Sequence, residues 1–62
     1  QHYNMGIIAV IAAGVVALAQ AAGQSIAEWI SSPQGQQFIN DTIKRYGPDL
    51  VRLVLEKLGV KL

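Results

Sequence analysis

The sequence predicts an all-α protein with a long hydrophobic N-terminal helix, a turn at Ser31-Pro33 and an amphipathic C-terminal helix broken or kinked at Gly47-Pro48. Apolar residues recur at helical spacing in both halves, and Ser and Pro separate the two halves in a pattern typical of helix starts. With 62 residues and no cysteine, the chain forms one domain and has no disulfide to stabilise it. We therefore expect a single helical subunit, residues 1–62, that depends on partners or lipid for stability.

The first predicted element is a hydrophobic packing helix over residues 5–30. From Met5 to Gly23 the only polar side chain is Gln20. A helical segment of that length extends roughly 28 Å, close to the thickness of a bilayer core. Many of its residues are Ala and Gly, which add little insertion energy, so it is marginal as an isolated membrane span. Trp29 fits either a ring at a membrane interface or ordinary core.

Helical spacing divides this helix into two faces of different shape. A thin face, interpreted as a helix-packing surface, carries Gly6, Ala9, Ala13, Ala17, Gln20 and Ala21. A bulky apolar face carries Ile7, Ile8, Ile11, Val15, Leu18, Ile26, Trp29 and Ile30. Small residues four apart allow two helix backbones to approach closely, although alanine is also simply the best helix former. The segregation of the faces favours packing, and the Gln20 amide is the predicted specificity contact.

The second predicted element is an amphipathic helical segment over residues 34–60. Ser31 and Gln34 match the S-x-x-Q capping box, and Pro33 stands near the first helical position, where proline is favoured. Gly47-Pro48 interrupts the segment because proline lacks a backbone donor and glycine suits the end of a helix.

The chain offers no catalytic, cofactor or metal site. His2 is the single histidine, cysteine is absent and the four carboxylates are dispersed, so neither a zinc site nor a nucleophile–base pair can be assembled. A net charge of +1, with every basic residue at or after Lys44, is too small for binding to a phosphate backbone. We therefore expect no enzymatic activity, no cofactor and no nucleic-acid partner.

A short, cysteine-free chain with a hydrophobic helix and a charged C-terminal third resembles the small processed helical pilins of the conjugative secretion class. The resemblance is one of layout and covers no sequence motif; a conjugative pilin would carry a second strongly hydrophobic helix. The first residue, Gln1, fits a chain cut from a precursor. The resemblance implies a structural subunit of a filament or pilus, a homopolymer of identical subunits at the cell surface or outside the cell. It also implies a membrane-inserted form before assembly, with lipid as the bound non-protein component.

Two other functions remain open on the same residues. A secreted membrane-active peptide is one, since cysteine-free, Ala-, Gly- and Val-rich, mildly cationic chains of this size resemble the circular bacteriocins, although the charge is low for that role. A small accessory subunit of a membrane complex is the other. The two unlike apolar faces of the first helix favour the polymer, because contacts between unlike faces generally do not close into rings.

Overall fold

The computed structural model describes residues 5–60, and every regular element in this part of the chain is a helix. Helix α1 spans Met5–Ala21, α2 spans Ile26–Ser31, α3 spans Pro33–Tyr46 and α4 spans Pro48–Lys57. The predicted all-α class is confirmed. Each of α1 and α3 packs against both α2 and α4, so α1 and α3 occupy opposite corners of a body 35 × 18 × 18 Å in extent.

The prediction of one helix over residues 5–30 is corrected by a break after Ala21. Gly23 has a φ of +66°, a left-handed conformation that glycine adopts without steric cost. The backbone N–H of Gln24 donates to the carbonyl of Ala19 at 2.9 Å, and that of Gly23 donates to Gln20 at 3.0 Å. These two bonds form the Schellman pattern that ends a helix.

A capping box at Ser25 and Glu28 starts the next helix and fixes the break. The Ser25 hydroxyl accepts the Glu28 backbone N–H at 3.1 Å, and the Glu28 carboxylate accepts the Ser25 backbone N–H at 2.9 Å. The hydrogen bond from the Ser25 backbone, followed by that from its side chain, lowers the pKa of Glu28 below its ordinary value of 4.5. Satisfying these groups locally favours the turn over a continuous helix.

The break leaves α1 with 17 residues. Across residues 5–60, no helix combines the length and hydropathy that crossing a bilayer requires.

The predicted cap at residues 31–34 is corrected by one position. Ser31 is the last residue of α2, and its hydroxyl donates to the carbonyl four residues earlier at 3.0 Å. Ser32 is the N-cap of α3, and its hydroxyl accepts the Gly35 backbone N–H at 3.1 Å. Pro33 is the first residue of α3. A backbone N–H at this position has no hydrogen-bond partner within the helix, so proline, which lacks the N–H, is tolerated there.

The backbones of α2 and α3 touch at Gly35. A Cβ atom placed there would lie 1.9 Å from the carbonyl oxygen of Trp29 and 2.8 Å from the Cα of Ile30. The side-chain amide of Gln36 also donates to the Ile30 carbonyl at 2.9 Å. Only glycine allows this contact, so the corner between α2 and α3 is closely packed.

The second half of the chain is divided at Gly47-Pro48. α3 ends at Tyr46 and α4 begins at Pro48, with Gly47 at φ +92° between them. The amphipathic segment therefore contains two helices, and the basic side chains in the last turn of α3 and of α4 suit a helix C-terminus.

Two apolar clusters hold the four helices together. One joins α1 to α4 and consists of Ile8, Ala12, Leu50 and Val54. The other joins α1, α2 and α4, with apolar residues of α3 packed against it, and consists of Val15, Ala19, Trp29, Ile30, Val51 and Leu55. The Trp29 ring meets Phe38 edge-on at 5.7 Å and is 5% exposed, so in this structure Trp29 is a core residue.

Candidate packing surface on helix α1

The inward side of α1 is a narrow stripe with a 4-3-4 spacing. Ile8, Ala12, Val15 and Ala19 are all buried, none more than 5% exposed. Two of the four are alanine, and such small side chains permit neighbouring helices to approach closely. Sequence reasoning overlooked Ala12 and Ala19 as core residues. Their spacing from Ile8 and Val15 was the signal that could have identified them.

The structure separates the predicted bulky face into buried and exposed members. Ile8, Val15, Trp29 and Ile30 are buried, and Ile7, Ile11 and Ile26 are half-buried. Leu18 is 44% exposed. The break at residues 22–25 turns α2 relative to α1, so these residues do not form one continuous stripe.

The predicted packing residues all lie on the outward side of α1. Gly6, Ala9, Ala13, Ala17, Gln20 and Ala21 are exposed, and Val10 stands among them at 71% exposure. At about 100° per residue, these seven fall on the side of the helix away from the buried stripe. We call this set of seven residues the outer face of α1.

The outer face is apolar and uncharged. The first charged residue of the chain is Glu28, beyond the end of α1, and the outer face carries a single polar side chain, Gln20. Met5, at 63%, and Leu18, at 44%, add exposed apolar surface to the same helix. Contiguous exposed apolar surface is a candidate interaction site.

The small side chains of the outer face suit a helix as partner. Ala and Gly permit close approach of two backbones, and an amide such as that of Gln20 hydrogen-bonds well across an apolar helix contact. A helix that lies in a membrane interface typically presents aromatic and basic side chains. α1 contains neither an aromatic nor a basic residue.

A second apolar surface lies away from α1. An open groove of about 450 Å³ runs between α3 and α4 and reaches α2. Its apolar lining comes mainly from Ile30, Ile39, Ile43, Val51 and Leu55. Asp49 and Arg52 stand at its edge and form an ion pair of 3.8 Å. No residue of α1 lines this groove, so the groove and the outer face can be occupied at the same time.

Several other polar side chains serve the fold. Ser25 and Ser32 are N-caps, and the hydroxyl of the buried Thr42 donates to the Phe38 carbonyl at 2.7 Å. Within residues 5–60, no group of three His, Cys, Asp or Glu side chains is placed to hold a metal ion. His2 lies outside the described residues.

The outer face of α1 is the candidate functional surface of the described residues. Comparison of the chain with family models, with curated proteins and with solved structures gives no match.

Proposed function

We propose that this chain is a structural subunit of a self-assembling helical filament or pilus at the cell surface, a homopolymer packed through the outer face of α1. The supporting observation is that one whole side of α1 is solvent-facing, uncharged and built from small apolar residues. Leaving such a side in water forfeits about 25 cal/mol for each Å² that a partner could cover. A neighbouring copy of the chain covers the outer face and removes it from water.

The size of the outer face favours a polymer over a simple pair. A helix of this length is roughly 25 Å long and 10 Å wide, so one side offers an area on the order of 250 Å². Stable pairwise complexes bury about 800 Å² per partner. A copy that uses both the outer face and the α3–α4 groove engages two neighbours and increases its buried area.

The two surfaces differ in shape, so a contact between them is head-to-tail. Head-to-tail contacts form rings only when the rotation closes, and otherwise extend into filaments. A membrane-active peptide and an accessory subunit of a membrane complex are the alternatives. The first predicts a monomer that acts on lipid, and the second predicts a fixed stoichiometry with other chains.

The test replaces an outer-face alanine with leucine. Ala13→Leu holds neighbouring helices apart and forfeits their dispersion contacts, while an exposed position leaves the subunit folded. Ala27→Leu is the matched control, because it makes the same change at an exposed alanine of α2. In samples prepared without detergent, we expect negative-stain microscopy to show filaments of the wild type and of Ala27→Leu. We expect Ala13→Leu to show unassembled subunits or small oligomers.

Circular dichroism of both variants separates a loss of packing from a loss of folding. Equal assembly of the two leucine variants would remove the outer face from the interface. A monodisperse wild-type monomer that permeabilises liposomes would replace the filament with the membrane-active peptide.

A further inference from the structure

The contact between α1 and α4 is made by hydrocarbon side chains. Ile8 and Ala12 of α1 pack against Leu50 and Val54 of α4, and none of the four is more than 5% exposed. Apolar contacts are non-directional and depend on the area removed from water. α1 would therefore pack as favourably against the α4 of a second copy as against the α4 of its own copy. The linker determines which of these two contacts forms.

That linker is short and is turned by a single residue. Residues 22–25 join α1 to α2, and Gly23 at φ +66° ends α1 within this linker. The apolar positions on either side keep one helical phase: at about 100° per residue, Ile26 and Ile30 continue the stripe of Ile8 and Ala19. A helical linker would therefore merge residues 5–31 into one amphipathic helix of roughly 40 Å.

We infer that α1 is exchanged between copies of this chain: the linker straightens, and the α1 of one copy packs against the α4 of a second copy. A straightened linker carries α1 away from its own α4. It leaves Leu50 and Val54 uncovered, and the segment whose side chains already fit them is another α1. The exchange uses the buried stripe and leaves the outer face free, so it does not depend on the proposed filament contact.

Protein concentration controls the exchange. A short linker holds α1 near its own α4 at an effective concentration on the order of mM. Exchange competes with the contact inside one copy when the protein concentration approaches that value. If the turn at Gly23 is weakened, a lower protein concentration is sufficient.

Cysteine pairs detect the exchange directly, because the natural chain contains no cysteine. Two single variants, Ala12→Cys and Leu50→Cys, are mixed at increasing concentration and then oxidised. Both positions are buried, so a disulfide between the two chains requires α1 of one to pack on α4 of the other. We expect the yield of the mixed cross-linked pair to rise with concentration. The double variant Ala12→Cys/Leu50→Cys, oxidised when dilute, should close within one chain.

Two glycine variants test the linker as the hinge. Gly23→Ala places a side chain at positive φ and disfavours the turn, whereas Gly14→Ala makes the same change within α1. Neither added Cβ meets an atom within 4 Å, so backbone conformation is what distinguishes the two sites. We expect Gly23→Ala to lower the concentration at half-maximal exchange about tenfold, and Gly14→Ala to leave it unchanged.

Absence of a mixed cross-link at any concentration, while the double variant closes within one chain, would overturn the exchange. Equal cross-linking by Gly23→Ala and Gly14→Ala would reject residues 22–25 as the hinge. The same mixture with Ala13→Leu added to both chains tests the exchange of α1 separately from the filament contact. Its cross-link yield stays unchanged if exchange occurs, whether or not filaments form.

Discussion

Helix α1 and the pair α3–α4 differ in how their apolar and charged side chains are distributed around each helix. α3 and α4 each carry one apolar side and one charged side, and they place the charges in solvent. α1 carries no charge and is apolar on both its inward and outward sides. A helix that is hydrophobic all round is normally buried, yet one side of α1 faces solvent here. The comparison shows that α3 and α4 expose mainly charged sides, whereas α1 exposes a side that is apolar and uncharged.

The strongest test of this difference compares two neighbouring positions of α1. Ile8→Ala removes a side chain that is 1% exposed, and the cavity costs about 2–5 kcal/mol of unfolding free energy. Val10→Ala changes a side chain that is 71% exposed and costs less than about 0.5 kcal/mol in the monomer. Chemical denaturation of dilute protein measures both values.

Ile8→Leu keeps the volume at the same buried site and should cost less than about 1.5 kcal/mol. If Val10→Ala destabilised the dilute monomer as strongly as Ile8→Ala, the outer face would not be solvent-facing.

Gly35 and Gly14 provide the next test, again between the two regions. Gly35→Ala forces a Cβ into the Trp29 carbonyl and should cost at least about 1–3 kcal/mol, since backbone must move. Gly14→Ala adds a methyl to open space within α1 and should stabilise by roughly 0.5–1 kcal/mol. Thermal melts followed by circular dichroism would show the two shifts with opposite signs. Shifts of the same sign would mean that α2 and α3 are not in contact at Gly35.

The N-cap of α3 gives a smaller effect. Ser32→Ala removes the hydroxyl that accepts the Gly35 backbone N–H, and we expect a loss of about 1 kcal/mol. Ser32→Asn, which keeps an acceptor of the kind favoured at N-caps, should recover most of it. A denaturation midpoint for Ser32→Asn as low as that of Ser32→Ala would argue against the cap.

The smallest expected effect is the pH dependence that comes from Glu28. Its pKa is lower in the folded chain than in the unfolded chain, so the carboxylate stabilises the fold above the unfolded value of 4.5. That contribution is lost as the pH falls from 4.5 through the folded pKa. Glu28→Gln keeps the capping acceptor but does not titrate, so its melting temperature should fall less steeply below pH 4.5. Parallel curves for the two proteins would exclude Glu28 as a source of the acid sensitivity.

Periodicity and proline placement were enough to predict the helical class. They were not enough at residues 22–25, because the apolar phase runs unchanged through the turn. The deciding interactions there are backbone hydrogen bonds at Gly23 and the reciprocal cap of Ser25 and Glu28. Ser25 and Glu28 have the S-x-x-E spacing of a capping box, a signal that the sequence prediction did not use.

The candidate surface was predictable only in part. The small residues of the outer face share one arc and could be assigned from spacing alone. The position of Ala12 in the core could not be derived from residue size, since its neighbour Ala13 is chemically identical and faces solvent. Tertiary contact with Leu50 and Val54, rather than composition, separates the two alanines.

The order of helix contacts bears on how the chain folds. Three of the four helix pairs, α1–α2, α2–α3 and α3–α4, are neighbours along the chain, and only α1–α4 joins distant segments. Local pairs form early because little chain entropy is lost in closing them, so docking of α1 onto α4 should be a late step. The same pair should be among the first to open in native-state hydrogen exchange, with backbone amides of α1 exchanging before those at the α2–α3 corner. The helix that exposes an uncharged apolar side to solvent is therefore also the helix whose packing we expect to form last.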